Sequence, residues 1–223
     1  MTRDEAATLD DHDPLAAFRE RFVRAEGVIY LDGNSLGVLP RATAGQVSDV
    51  ITRQWGQDQI RSWNRHGWID APQRIGAKIA RLIGAGPDEV VVADSTSVNL
   101  FKLAAGALGL RPGRTTVLAE AESFPTDAYV LQGLEALLAG RAQVRFVARD
   151  ELRRAIDGDT AVVVLVDVHY KTGARWDMAA VTAAAHEAGA LMLWDLSHSA
   201  GAVRMNLGAC GADLAVGCGY KHL

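Results

Sequence analysis

The sequence predicts an α/β domain built on a mostly parallel sheet with flanking helices. Three observations carry this. Six short apolar runs, Val90–Ala93, Thr116–Ala119, Val144–Val147, Ala161–Val166, Ala190–Trp194 and Leu214–Gly217, are spaced along the chain. Each is continuous rather than alternating, the pattern of strands covered on both faces. Helical segments fall between most of them, at Val98–Leu108, Thr126–Leu138, Glu151–Ile156 and Met178–Glu187, and alternating strand and helix imply parallel crossovers.

The preceding third is less regular. Met1 to Asp13 is polar and acidic without an apolar core, so no secretory signal is expected. Asp13-Pro14 predicts a helix start, with a capping acid, proline at the first helical position and Leu15, Phe18, Phe22 and Val23 on one face. Val28–Leu31 reads as a short strand running into the turn-rich loop Asp32-Gly33-Asn34-Ser35-Leu36-Gly37. A long helical stretch is expected from about Pro40 to Trp63. Another begins near Asp70-Ala71-Pro72 and runs to Ile83, closed by Gly84 and Gly86.

Composition narrows the function. Of 223 residues, 49% are hydrophobic and 22% charged, as in a globular chain. The net charge is -4 and the basic residues are scattered, so nucleic acid is not an expected partner. No apolar run is long enough to span a bilayer, and no membrane association is expected. Cys210 and Cys218 lack metal-ligand spacing, and read as reduced core thiols of a cytoplasmic protein.

Ligands of parallel sheets bind beyond the carboxyl ends of the strands, so the residues at each strand exit matter most. The first exit gives Asp94-Ser95-Thr96-Ser97-Val98-Asn99. Its hydroxyl residues stand where a helix start favours an anion; Thr96 and Ser97 suit a phosphate, and ordinary capping is the plainer reading. The second gives Glu122-Ser123-Phe124-Pro125-Thr126-Asp127. Phe124 suits the face of a planar ring, and Asp127 either a ring substituent or its own helix N-terminus. The fourth gives Asp167-Val168-His169-Tyr170-Lys171-Thr172-Gly173, a polar loop with a glycine turn. The fifth gives Asp195 and His198 directly after Leu191-Met192-Leu193-Trp194. A carboxylate there needs a partner. A protonated pyridine nitrogen provides one; a metal would need a third ligand that the neighbourhood lacks. The sixth gives Tyr220 and Lys221.

Singly, each signal has an ordinary structural explanation. Together they supply an anion cup, a ring stacker, a counter-acid and a lysine able to form a Schiff base, the parts of a pyridoxal 5'-phosphate (PLP) site. Competing signatures are absent: the chain has no P-loop and no Gly-x-Ser-x-Gly elbow, and Gly217-Cys218-Gly219 lacks the third glycine of a dinucleotide fingerprint.

Longer motifs resemble one family. Tyr30 to Gly37, Arg61-Ser62-Trp63-Asn64, Gly67-Trp68-Ile69, Asp94 to Leu100, Phe124 to Asp127, Tyr170 to Gly173, Trp194 to Gly201 and Gly219-Tyr220-Lys221 are similar to stretches of the kynureninases. The resemblance runs from about residue 14 to the last residue. The aspartate and lysine motifs are shared with the wider class V aminotransferase group, whereas the Asp32–Gly37 loop and the Asp94–Asn99 stretch are more specific.

The resemblance implies a fold type I PLP enzyme acting as a homodimer. Its substrate would be L-kynurenine, and by extension 3-hydroxykynurenine, cleaved to anthranilate or its hydroxy form and L-alanine, in tryptophan catabolism and NAD biosynthesis. It implies cofactor contacts from Thr96, Ser97, Phe124, Pro125, Thr126, Asp127, Asp195, His198, Tyr220 and Lys221. Lys221 and Tyr220 would be the catalytic pair, Lys221 carrying the Schiff base, both with pKa values nearer neutrality than usual. Residues 1–40 would form a helix and arm of the small-domain or interface region, and residues 41–223 an incomplete large domain. Val166 stands where relatives often place a hydroxyl, and His169 where many bacterial relatives have Asn. Members of the family continue well beyond the position of Leu223, so the chain reads as an N-terminal fragment with little turnover of its own. The alternatives are another class V enzyme, such as a cysteine desulfurase or an aminotransferase, or a non-catalytic remnant.

Overall fold

Thr2 and Glu5 decide how the acidic start folds. The Thr2 hydroxyl accepts from Glu5 N–H and the Glu5 carboxylate accepts from Thr2 N–H, a capping box that opens helix α1, Arg3–Asp11. Reciprocal capping satisfies two N–H groups that the helix cannot. The computed structural model describes residues 1–223, which fall into two compact units, Met1–Ile69 and Asp70–Leu223.

In the first unit several expectations change. Asp13-Pro14 does not start an α-helix. Asp13 Oδ1 instead accepts from Leu15 N–H at 2.9 Å, and a 3-10 segment follows at Ala16–Arg21. Val28–Leu31 forms no strand: nothing pairs with it, and Ile29 and Leu31 lie exposed. Tyr30 OH donates to Leu36 O at 2.8 Å and so closes the Asp32–Gly37 loop. The stretch Pro40–Trp63 is interrupted. Helix α2 (Arg41–Asp49) passes into a π-helical turn at Val50–Trp55, and Gln59 takes φ +50°; the 3-10 turn Gln59–Arg61 leads to α3 (Ser62–Arg65). Fixed contacts hold this bend: the Ser62 hydroxyl donates to Gln54 O, Trp68 Nε1 donates to Gln54 Oε1 at 2.7 Å, and Asp58 binds both Arg65 and His66.

The second unit is the predicted α/β sandwich. It begins with α4 (Ala71–Ile83), carrying proline in its first turn and Gly84 in the left-handed conformation at its end, and with α5 (Thr96–Gly109). Then follow β1 (Thr116–Glu120), α6 (Pro125–Leu138), β2 (Gln143–Val147), α7 (Leu152–Ala155), β3 (Thr160–Val166), α8 (Met178–Glu187), β4 (Leu191–Asp195), α9 (Leu207–Cys210) and β5 (Leu214–Val216). All five strands are parallel, in the order β2-β1-β3-β4-β5.

The sixth expected strand, Val90–Ala93, is not one. It lies against α4, where Val92 N–H donates to Pro72 O at 3.2 Å rather than to a ladder partner. That approach is close. A Cβ on Gly76 would stand 1.9 Å from Val90 O.

Strand residues alternate between two cores, as the two-residue period requires. Val117, Ala119, Val162, Val164 and Leu193 pack with Leu100, Leu131 and Leu134 on one face. Leu118, Val163, Leu165, Met192 and Trp194 pack with Met178, Val181 and Leu196 on the other. Each buried Val, Leu or Met among them contributes roughly 1.5–3 kcal/mol. No helix of the chain is long and apolar enough to cross a membrane.

Candidate active site

Between β1 and β3 the strand order reverses: the chain builds outward to β2 on one side and to β4 and β5 on the other. Crevices at the carboxyl ends of strands open at such switch points. The loops leaving β1, β3, β4 and β5 all end on that edge because the strands are parallel.

The loop after β1 turns at Phe124, whose extended backbone (φ −60°, ψ 129°) caps α6, with Pro125 at the first helical position. Pro125 and Thr126 are exposed. Asp127 turns inward and is 5% exposed. The half-buried Phe124 ring is held edge-on by Tyr170, centroids 5.2 Å apart at 81°, and lies 6.2 Å from the His198 ring.

His169 fastens the β3 exit to the β1 exit. Lys171 and Thr172 N–H groups each donate to its Nδ1 at 3.3 Å, which leaves the proton on Nε2, and Nε2 donates to Glu122 O at 2.9 Å. The ring is 5% exposed and stacks on Tyr170 at 5.3 Å. His169 therefore supports the loop that carries Phe124. Beside it, Asp167 is fully buried and paired with Arg175 at 3.2 Å.

Asp195 ends β4 at 3% exposure, and its Oδ1 accepts from Ser197 N–H at 2.8 Å. Asp127 lies against it: burial, the Asp195 charge and a hydrogen bond with Asp195 push the Asp127 carboxyl up to about 8, with Lys221 acting in the opposite direction. Lys221 Nζ donates to His198 Nε2 at 3.0 Å and stands 5.7 Å from the Phe124 centroid. Burial, reinforced by the Lys221 charge, lowers the His198 pKa, so the imidazole is the neutral acceptor of that bond.

Thr96 and Ser97 open α5. Ser95 takes the capping role, accepting from Val98 N–H at 3.3 Å. The Thr96 hydroxyl donates to Gly217 O at 3.0 Å, tying the start of α5 to the exit of β5, four residues before Lys221. Tyr220 is 59% exposed, with its ring centroid 5.7 Å from Lys221 Nζ. Its pKa is raised, by burial first and then by Cys218. This direction runs opposite to the expectation of a phenol tuned toward neutrality.

The structure brings Phe124, Asp127, Asp195, His198 and Lys221 together. Two features were missed in the sequence. By sequence Asp127 reads as a contact for a ring or as a cap of its own helix, whereas its pairing with Asp195 joins elements far apart in the chain. Gly201, at φ +84°, leaves no room for a side chain: a Cβ would meet His222 O at 2.3 Å. The glycine closing the Asp195-Leu196-Ser197-His198-Ser199-Ala200-Gly201 run was its signal, but its neighbour was invisible.

Asp127 Oδ2 is buried without a partner. A buried acid pair with an unused oxygen, an aromatic face and a lysine amine fit a planar cationic heterocycle bearing a carbonyl. The helix start at Thr96 and Ser97 offers N–H groups to an anion on such a molecule.

Fold and cluster together define a parallel α/β protein with a lysine and a buried acid at its strand exits. The sequence profile of the class-V aminotransferases matches residues 29–223, and the chain belongs to that family. It is 50% identical over 227 aligned residues to a kynureninase of Pseudomonas fluorescens, covering all of this chain and 55% of that protein. It is 51% identical over 220 to a kynureninase of Deinococcus radiodurans, covering 96% of this chain and 53% of that protein. The chain thus spans about half the length of these relatives. Among solved structures, a C-DES mutant with glycine covalently linked to the PLP cofactor superposes with a TM-score of 0.77 at 16% identity, covering 91% of this chain and 55% of that one; this likeness is one of fold.

Proposed function

We propose that this chain holds PLP at the β1, β4 and β5 exits, and that the protein it belongs to cleaves L-kynurenine, and 3-hydroxykynurenine, to anthranilate or 3-hydroxyanthranilate and L-alanine. The observation that carries the reading is the buried Asp127–Asp195 pair beside Lys221, in a chain about half identical to two kynureninases along nearly its whole length.

When bound, PLP supplies an electron sink for charge developing on substrate carbon. Everything else falls to side chains. Lys221 Nζ would hold the cofactor through its carbonyl carbon, with loss of water. The free Lys221 amine would take the substrate Cα proton, and neutral His198, which accepts its hydrogen bond, holds it in place. Asp195 and Asp127 would hold the ring nitrogen and favour its cationic form. Phe124 would lie against the ring, with Pro125 and Thr126 shaping the turn behind it. Thr96 and Ser97 take the phosphate end. Tyr220, its pKa raised, keeps its proton at neutral pH and would act as a donor when water adds to the substrate γ-carbonyl and the Cβ–Cγ bond breaks.

Residues 1–40 belong in this reading to the interface arm of a cytoplasmic homodimer. The exposed Leu15, Phe18, Ile29, Leu31 and Leu36 support it, being more apolar surface than a free arm usually shows.

The test has two parts. Purified chain mixed with PLP is expected to absorb in the visible and to yield a borohydride-stable adduct that Lys221→Ala abolishes; a colourless wild-type chain refutes the cofactor assignment. The gene encoding this chain, expressed whole, is expected to release fluorescent anthranilate from L-kynurenine. Cofactor binding without anthranilate release would move the reading to another class-V reaction, such as cysteine desulfuration or amino transfer.

A further inference from the structure

We propose that Asp127 and Asp195 hold one proton between them at neutral pH, acting as a single stored acid where the cofactor's ring nitrogen docks. The inference deepens the PLP reading, but its first half stands on this chain alone. Asp127, on the first turn of α6, is 5% exposed, and Asp195, at the end of β4, is 3% exposed. Water therefore does little to screen one from the other. Asp195 Oδ1 is engaged by Ser197 N–H at 2.8 Å, whereas Asp127 Oδ2 has no partner. As two anions the pair has no donor between them and leaves a buried oxygen unsatisfied. One proton supplies the donor and removes the repulsion, which is how two carboxyls sharing a site resolve their conflict.

The surroundings favour one proton rather than none. The Lys221 ammonium opposes protonation of Asp127, yet burial and the neighbouring acid outweigh it. His198 is below its usual range and neutral, and Tyr220 is protonated, so neither adds a charge that would release the proton. When an unprotonated pyridine nitrogen docks, the proton moves from the pair to that nitrogen. The O–H bond breaks, an N–H bond forms, and one cation then faces two carboxylates. Charge is conserved, and no proton passes to solvent. Asp127 is thereby a positioning residue for the ring and the means of charging it.

Difference infrared spectroscopy on the cofactor-free chain tests this directly. At pH 7 a carbonyl stretch of a protonated, buried carboxylic acid is expected, distinct from carboxylate bands. It should vanish as pH rises past about 8, and be absent from both Asp127→Asn and Asp195→Asn. The wild-type titration needs no variant, so a misfolded mutant does not blunt the result. No such band at pH 6, or a band that survives in both folded variants, overturns the stored proton. Adding PLP should remove the band as visible absorbance appears. A band that persists beside that absorbance overturns the handover to the ring. Absence of visible absorbance instead overturns the PLP reading, while the cofactor-free band still decides whether the pair holds its proton.

Discussion

Lys221 Nζ and His198 Nε2 lie 3.0 Å apart although 23 residues separate them in sequence. The imidazole is an acceptor only while neutral, and burial together with the lysine charge keeps it so. The contact makes the amine part of a fixed arrangement, and its loss has a measurable consequence.

Replacing His198 with Phe removes the acceptor and keeps the bulk. The lost bond to a charged donor costs roughly 1.5–3 kcal/mol, so borohydride-trapped PLP adduct at limiting cofactor should fall by an order of magnitude or more. The sign for pH follows from the lowered pKa. His198 is neutral across the physiological range and becomes charged only below its ordinary value, so acid places two cations together. Adduct formation in wild type should fall on acidification. An adduct yield unchanged in His198→Phe would show that the 3.0 Å contact does not position the lysine.

Gly201 tests how the last residues are seated. With φ +84° and a Cβ position 2.3 Å from His222 O, Gly201→Ala pushes the Lys221–His222 segment outward. Left-handed backbone and overlap together cost on the order of 1–3 kcal/mol. The expected outcome is near-normal circular dichroism with severe loss of the PLP adduct. Retained adduct would mean that the segment yields without moving Lys221.

The acid pair links stability to pH. Asp127 is raised from 3.8 to about 8, so between these values the folded chain holds a proton that the unfolded chain does not. Stability then falls as pH rises through that interval, by at most about 1.4 kcal/mol per pH unit, and levels off above it. Urea unfolding of cofactor-free wild type from pH 5 to 8 should show this decline; Asp127→Asn should flatten it. A slope that is the same in the variant would assign the linkage to other groups.

His169 supports the Phe124 loop through Glu122 O at 2.9 Å. His169→Ala deletes that bond and the stacking on Tyr170, together worth about 1–2 kcal/mol. Affinity for PLP, followed by absorbance, should weaken roughly 5- to 30-fold, with the Lys221 adduct still formed at saturation. Loss of the adduct at saturating PLP would make His169 more than a support.

Asp58 anchors the bend of the first unit. Hydrogen bonding from His66, then from Arg65, holds its carboxyl below the usual range. A lowered carboxylate pKa gives stability that is present above the unfolded value and is lost as acid reaches the folded one. Asp58→Asn should therefore increase proteolysis between residues 49 and 66 at pH 7, with the difference from wild type shrinking in strong acid. Equal cleavage at pH 7 would show that the bend does not depend on this carboxylate.

Much of the second unit was legible from residue order. The runs at β1, β3 and β4 are mostly apolar because both sheet faces are covered there, and that pattern depends only on composition and spacing. Parallel strands place all their exits on one edge, so Phe124, Asp195, His198 and Lys221 were identifiable as neighbours before their distances were known. Val90–Ala93 and Val28–Leu31 carry the same apolar signal, yet neither is a strand. A strand is defined by the ladder beside it, and one segment lies on α4 while the other has no partner. The helix expected from Pro40 to Trp63 gave way to a π turn and a bend held by Gln54, Asp58 and Ser62.

The sequence by itself determined the layer order, the edge on which chemistry collects and the residue types found there, because apolar periodicity and strand direction are local properties. Only the tertiary structure decided that Asp127 meets Asp195, that His198 receives Lys221 and that Gly201 must lack a side chain. A pKa, an unpartnered oxygen and a steric gap are set by whichever atoms lie within a few ångströms in space, and the chain brings those atoms from elements it orders tens of residues apart.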